Sequence, residues 1–294
     1  MNGLLVFDKP KGITSHDVVY KVRKKTGIKK VGHTGTLDPL ATGVLVICIG
    51  RATKVSDYVL SSDKEYIAKI KLGLLTDSYD INGNILKEED VSFNRDEIEI
   101  VLNSFIGEQM QTPPIYSAIK INGQKLYEYA RSGKEINIPK RKISINSIEL
   151  LDFNDKDEIT IKVSVSKGTY IRSLANDIGK KLNTNGTITE LRRTKTGDFN
   201  ITEAIDMDKF SEMSLEEIDK HLLPIDKALD NLKNIKINAN FRDRILNGVF
   251  YKLDDEYSES EYKIYCGDEF LGIGEIRKID GEYFLKMKKR LIGE

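Results

Sequence analysis

Two periods organise the apolar positions of this chain. Tyr66, Ala68, Ile70 and Leu72 alternate with Ile67, Lys69 and Lys71, which predicts a half-buried strand over 64–72. Ile159, Ile161, Val163 and Val165 alternate with Thr160, Lys162 and Ser164 and predict a second strand with one polar face. The runs 4–7 and 44–49 are continuously apolar, the pattern of strands buried on both faces. Helical spacing marks Val18, Val19 and Val22 behind a Ser15 cap, then Val55 and Val59 within 52–60. It recurs over 94–105 behind Asn94, and in Ile171, Leu174, Ala175 and Ile178 behind Thr169. Asn82-Gly83 predicts a tight hairpin turn. Beyond 235 a short helix over 241–246 gives way to strands around 270–276 and 283–287, separated by Asn-Gly, Gly-Asp and Asp-Gly turns. Strands interleaved with helices in this way imply an α+β fold with a mixed, largely antiparallel sheet flanked by helices.

At 294 residues the chain has room for one large domain and a small one. Charged residues make up 31% and cancel to a net charge of zero, so the distribution of charge carries the information. Residues 9–30 hold eight Lys or Arg against one acid, Asp17, whereas 203–230 hold nine acids against three Lys. The first is a candidate polyanion-binding edge and the second reads as a solvated face. Cys48 and Cys266 are far apart in apolar surroundings, which predicts buried thiols in a reducing compartment rather than a disulfide. No stretch has the length of a membrane span, and the N-terminus lacks the features of a signal peptide, so a cytoplasmic protein with no membrane partner is expected.

The basic edge leads into Val31-Gly-His-Thr-Gly-Thr-Leu-Asp-Pro-Leu-Ala-Thr-Gly43. Its glycines permit tight turns and close approach, and Pro39 stiffens the backbone around Asp38. A stiff loop anchored to a buried strand is a way to present one reactive side chain, here Asp38. The same composition also suits an ordinary turn in which the Asp bonds its own backbone. A nucleotide phosphate loop lacks its Lys-Ser/Thr ending, and His33 with Asp38 is too small a set for a metal shell, so no metal is expected. Further on, 112–142 interleaves three tyrosines with Lys and Arg, which fits either a surface hairpin with a short helix or an RNA-gripping segment. Arg172 falls in the first turn of its helix, where the dipole disfavours a cation, and so invites an anionic partner.

Gly32 to Gly43 resembles the signature of the bacterial tRNA pseudouridine synthase B (TruB) family. Asp8-Lys-Pro-Lys-Gly12, Lys167-Gly-Thr-Tyr-Ile-Arg172, Leu191-Arg-Arg-Thr194 and Gly197-Asp-Phe199 resemble further motifs of that family. The resemblance implies a catalytic domain over 1–230 with an RNA-gripping insertion at about 112–142. It implies a small PUA-like β-barrel that binds RNA over 235–294. Asp38 takes the place of the family's essential aspartate and Arg172 lies beside it. Tyr66 matches the tyrosine that stacks on the target uracil and can serve as the base at C5. Tyr170 matches a second pocket tyrosine, and Leu191 a residue whose backbone meets the base edge. His33 matches a histidine that holds the flipped-out RNA, and Lys9 sits in the segment expected near the substrate.

The implied reaction breaks the C1′–N1 bond of uridine 55 in the tRNA T loop, turns the base and joins C1′ to C5. Atoms and electrons balance within the substrate, so no cofactor is expected. A carboxylate can attack C1′ or stabilise its positive charge. The expected partner is the T-arm stem-loop of tRNA, bound by a monomer. A glycoside hydrolase would need a second carboxylate in a comparable motif, which the sequence does not offer. A catalytically silent RNA scaffold would have no use for Asp38, Tyr66 and Arg172 together.

Overall fold

The computed structural model describes residues 1–134, 136–154 and 156–292. Glu135 of the 112–142 segment, Asp155, and Gly293 and Glu294 at the C-terminal end lie outside the described residues. Six long strands build the larger sheet: β1 (Gly3–Lys9), β2 (Thr42–Ile49), β3 (Lys64–Leu72), β4 (Arg141–Phe153), β5 (Glu158–Val165) and β6 (Gly186–Thr196). Across it the order is Ile205–Asp206, β1, β2, β6, β3, β5, β4, Gly107–Gln111. Among the described residues of this sheet, only β1 with Ile205–Asp206 and β2 with β6 run parallel. The remaining ladders are antiparallel.

Both faces of β1 and β2 are covered, which is why residues 4–7 and 44–49 read as unbroken apolar runs. Leu5, Phe7, Leu45, Ile47 and Ile49 enter one core with α1 (Ser15–Thr26) and α3 (Ile171–Lys181). Their neighbours Leu4, Val6, Val44, Val46 and Cys48 enter a second core. That second core also holds Val59 of α2 (Ser56–Leu60) and, from the C-terminal part, Ile273 and Leu291. The C-terminal part is a five-stranded sheet curled into a half-barrel. Its edges, Lys233–Ile237 and Tyr251–Leu253, do not pair with each other. The small β-barrel expected from sequence takes the form of this half-barrel. Among the described residues no helix is long and apolar enough to cross a membrane.

Several local expectations shift. Thr14, not Ser15, caps α1, in a reciprocal box with Asp17. Ser15 is turned inward instead and serves the glycine loop. Residues 52–60 divide into a 3-10 turn, Gly50–Val55, followed by α2. The N-cap of α3 is Tyr170 without a side-chain hydrogen bond, so Thr169 does not cap it. The hairpin of Leu74–Thr76 and Ile85–Glu88 is closed by a wide loop, not by a two-residue Asn-Gly turn. Asp77 and Asp80 reshape that loop by accepting from Asn84 N and Asn82 N. Cys48 is buried as expected, but Cys266 is only half-buried.

Candidate active site

The glycine loop joins Val31–His33 to β2, and each of its ends is tied down. Ser15 Oγ accepts from Leu37 N at 2.8 Å and donates to Leu37 O at 3.1 Å. Gly12 N donates to Pro39 O at 2.7 Å, and Thr34 N to Val46 O at 3.0 Å. Arg193 spans the loop's base, donating from Nε to Val44 O at 2.7 Å and from Nη2 to Gly35 O at 3.1 Å. In register, Arg193 stands opposite both Gly43 on β2 and Tyr66 on β3. This close approach needs a glycine. Gly43 has φ +103°, and a Cβ there would lie 2.1 Å from Arg193 O. β6 thus sets the aspartate loop and Tyr66 side by side.

Asp38, at the exposed centre of the pinned loop, meets Arg172, which α3 brings from a distant part of the chain. Arg172 Nε lies 2.9 Å from Asp38 Oδ2, with the guanidinium almost fully buried and the carboxylate 40% exposed. The other guanidinium nitrogens are also engaged. Nη1 donates to Ser78 O at 3.1 Å and lies 3.5 Å from Asp80 Oδ2, and Nη2 donates to Tyr116 O at 2.9 Å. Two carboxylates and two carbonyls offset the unfavourable dipole at the helix start. Ser78 and Asp80 come from the wide hairpin loop, in which Tyr79 takes a left-handed backbone with φ 59°. Gln111 clamps the same helix start, accepting from Tyr170 N at 2.8 Å and donating to Tyr170 O at 3.1 Å.

These elements enclose a cavity of about 470 Å³ whose walls include Asp38, Tyr66, Tyr116, Tyr170, Arg172 and Leu191. Five of the seven residues singled out from sequence therefore converge: Asp38, Tyr66, Arg172, Tyr170 and Leu191. His33 and Lys9 are not in the lining. His33 sits at the loop's entry, where Nδ1 accepts from Gly35 N at 3.4 Å. Burial, then Arg193 and His16, hold its imidazole below the usual pKa. Lys9 is 0% exposed and donates to Pro10 O and Ile13 O at 2.9 and 2.8 Å, bracing the turn that contacts Pro39. Burial pushes its ammonium down to about 8, with Asp38 opposing. Lys64, also in the cavity wall, is pushed down to about 8 by burial and by Arg193. Burial raises the Tyr170 hydroxyl above its ordinary value.

Sequence reasoning missed Asp80, Tyr116, Gln111, Ser15 and Arg193. Asp80 and Tyr116 lie in loops with no period to read. Arg193 was visible only as part of a motif, and Ser15 resembled a cap. Among the described residues no cluster of His, Cys, Asp and Glu is suited to hold a metal ion.

The family model described as TruB family pseudouridylate synthase (N terminal domain) matches residues 23–171. The model described as tRNA pseudouridylate synthase B C-terminal domain matches 172–230. A tRNA pseudouridine synthase B of Clostridium tetani is 47% identical over 95% of this chain and 96% of its own length. One from Clostridium perfringens is 46% identical over the full length of both, and one from Bacillus pumilus is 45% identical over 88% of this chain. Among solved structures, one described as a Cbf5-Nop10-Gar1 complex superimposes with TM-score 0.75 at 26% identity, covering 99% of this chain and 85% of that one.

Sheet, cavity and relatives together define an RNA-modifying isomerase of the pseudouridine synthase class. Within that class the chain belongs to the TruB family, and its activity is that of a tRNA pseudouridine synthase.

Proposed function

We propose that the chain isomerises uridine 55 in the T loop of tRNA, with Asp38 acting at C1′. The observation that carries this reading is the 2.9 Å pair of Asp38 with Arg172 at a cavity lined by Tyr66, Tyr170 and Leu191. Extruding a nucleotide takes a few kcal/mol, least where the base already lies in a loop. The pinned loop holds the carboxylate for attack on, or charge stabilisation of, C1′ as the C1′–N1 bond breaks. Arg172 fixes the carboxylate's direction from below. Tyr66 stacks on the freed uracil and serves as the base that takes the C5 proton once C5 has bonded to C1′. Tyr170 closes the pocket, and the backbone of Leu191 meets the base edge. His33 and Lys9 act at one remove, by shaping the loop that meets the flipped strand.

In this reading residues 1–230 form the catalytic unit, and 235–294 a PUA-like unit that adds RNA contacts. The protein works as a cytoplasmic monomer on the T-arm stem-loop and needs no cofactor or metal. A hydrolase reading is less well supported: Asp80, the second carboxylate nearby, is tied to Arg172 and is not among the cavity's lining residues. Tritium release from T-arm transcripts labelled at C5 of uridine tests the proposal. Wild type is expected to release tritium without freeing uracil, and Asp38→Ala to release none while still binding RNA. Release by Asp38→Ala at the wild-type rate would defeat the assignment.

A further inference from the structure

α2 has only five residues and no side-chain cap at its start, too little to hold its own position. It is fixed from two sides. On the catalytic side Lys64 Nζ donates to the carbonyls of Val59, Leu60 and Ser62. On the other side Tyr58 Oη donates to Glu261 Oε2 at 2.6 Å, and Glu261 is paired with Lys288 at 2.6 Å. Lys289 Nζ lies 5.0 Å from the centre of the Tyr58 ring and donates to Lys54 O at 3.1 Å. Lys54 Nζ returns a bond to Arg290 O at 3.1 Å. Between the two anchors Val59 is buried in the core that includes Ile273 and Leu291.

The last residue of this helix, Leu60, is 48% exposed and lines the wall of the uridine cavity. It stands against the aspartate loop: a Cβ added to Gly35 would lie 3.7 Å from Leu60 Cδ1. A single exposed leucine is ordinary. One presented beside a polar cavity, on a short helix braced from behind, has a use when a nucleotide is extruded. The neighbour left behind loses its stacking partner, and an apolar wedge can cover the bared face.

We infer that Leu60 is a substrate-contacting residue that covers the RNA base beside the extruded uridine. Tyr58 and Glu261 are its positioning residues, so the C-terminal half-barrel sets part of the catalytic wall. The inference rests on the reading of this cavity as the uridine site. RNA that engages Lys288 or Lys289 would act on the brace behind Leu60, which joins recognition by the half-barrel to events in the cavity.

Single-turnover tritium release at saturating T-arm transcript, with RNA affinity measured separately by filter binding, tests this. Leu60→Ala should slow release about tenfold with affinity changed by less than about threefold, and Leu60→Met should restore the rate to within about twofold. Tyr58→Phe and Glu261→Gln should slow release in the same direction and add little to Leu60→Ala when combined with it. Wild-type release by Leu60→Ala, a loss confined to affinity, or effects of Tyr58→Phe and Leu60→Ala that multiply would each overturn the inference. Asp38→Ala in the same series separates the two readings. If it reacts at the wild-type rate, the uridine site itself is misassigned. If it is inactive while Leu60→Ala is normal, only the role of Leu60 falls.

Discussion

Replacing Arg172 by Lys keeps the charge and removes the fork. The guanidinium reaches four acceptors on different sides: Asp38 Oδ2 at 2.9 Å, Asp80 Oδ2 at 3.5 Å, Ser78 O at 3.1 Å and Tyr116 O at 2.9 Å. An ammonium is a single donor point and cannot span them. Held by the two carboxylates, it leaves Ser78 O and Tyr116 O without their charged donor. Each such bond contributes at least about 1.5 kcal/mol, so the loss of both sums to about 3 kcal/mol or more. The Asp38 contact adds little to that sum, because its carboxylate is 40% exposed and water replaces the lost donor. In urea the midpoint should fall by about 1 M. The rate should fall further than stability suggests, because a carboxylate misplaced by about 1 Å can lose about a hundredfold. Circular dichroism in urea gives the first quantity and single-turnover tritium release the second. An Arg172→Lys enzyme with both the midpoint and the rate of wild type would refute the claim that the fork positions Asp38.

Gly43→Ala should yield little soluble enzyme, since its Cβ would fall 2.1 Å from Arg193 O at a φ of +103°; recovery of wild-type amounts in the soluble fraction would contradict the close approach. Ser15→Ala removes both bonds to Leu37 and should destabilise by about 2 kcal/mol. Its release rate should drop although Ser15 touches no substrate, and unchanged kinetics would show that the loop is held without it. Burial lowers Lys9 to about 8, below the 10.5 of an open chain, so below pH 8 its charge burdens the fold. Between pH 8 and 10.5 the unfolded chain holds that proton and the native one does not. Native stability should then rise by about 1.4 kcal/mol per pH unit relative to Lys9→Met. Parallel urea midpoints for the two proteins at pH 7.5 and 9.5 would refute that sign.

Periodic elements were legible because burial enforces their period. The strand at 64–72 alternates along its whole length, and residues 4–7 of β1 and 44–49 of β2 are continuously apolar because a core lies on each side. Caps were harder, because Thr14 and Ser15 offer the same hydroxyl at adjacent positions. Only the fold decides which one faces the helix end and which reaches Leu37. Asp38 and Arg172 stood out by local anomaly: a carboxylate among glycines, and a cation at a helix start. Their meeting is a tertiary fact. Asp80 left no trace, because its hairpin loop takes its shape from contacts to β6, where Ile81 N bonds Ile188 O and Ile188 N bonds Tyr79 O.

The same guanidinium ties the cavity's firm floor to its attached cover. The floor is sheet and pinned loop: β6 holds Gly43 and Tyr66 through Arg193, and Ser15 holds Leu37. The cover is the segment carrying Tyr116, whose two-residue strands, Lys120–Ile121 and Gln124–Lys125, pair with each other and, among the described residues, with no other strand. It is joined to the rest of the site by Arg172 to Tyr116 O, by Ser173 Oγ donating to Thr112 O at 2.8 Å, and by Tyr116 Oη donating to Asp77 Oδ2 at 3.3 Å. Any displacement of the cover by entering RNA must therefore stretch a bond to the group that orients Asp38. The tie to this segment and the orientation of the carboxylate share one side chain, so, if Asp38 acts as proposed, loss of Tyr116's carbonyl contact should slow tritium release rather than only weaken affinity.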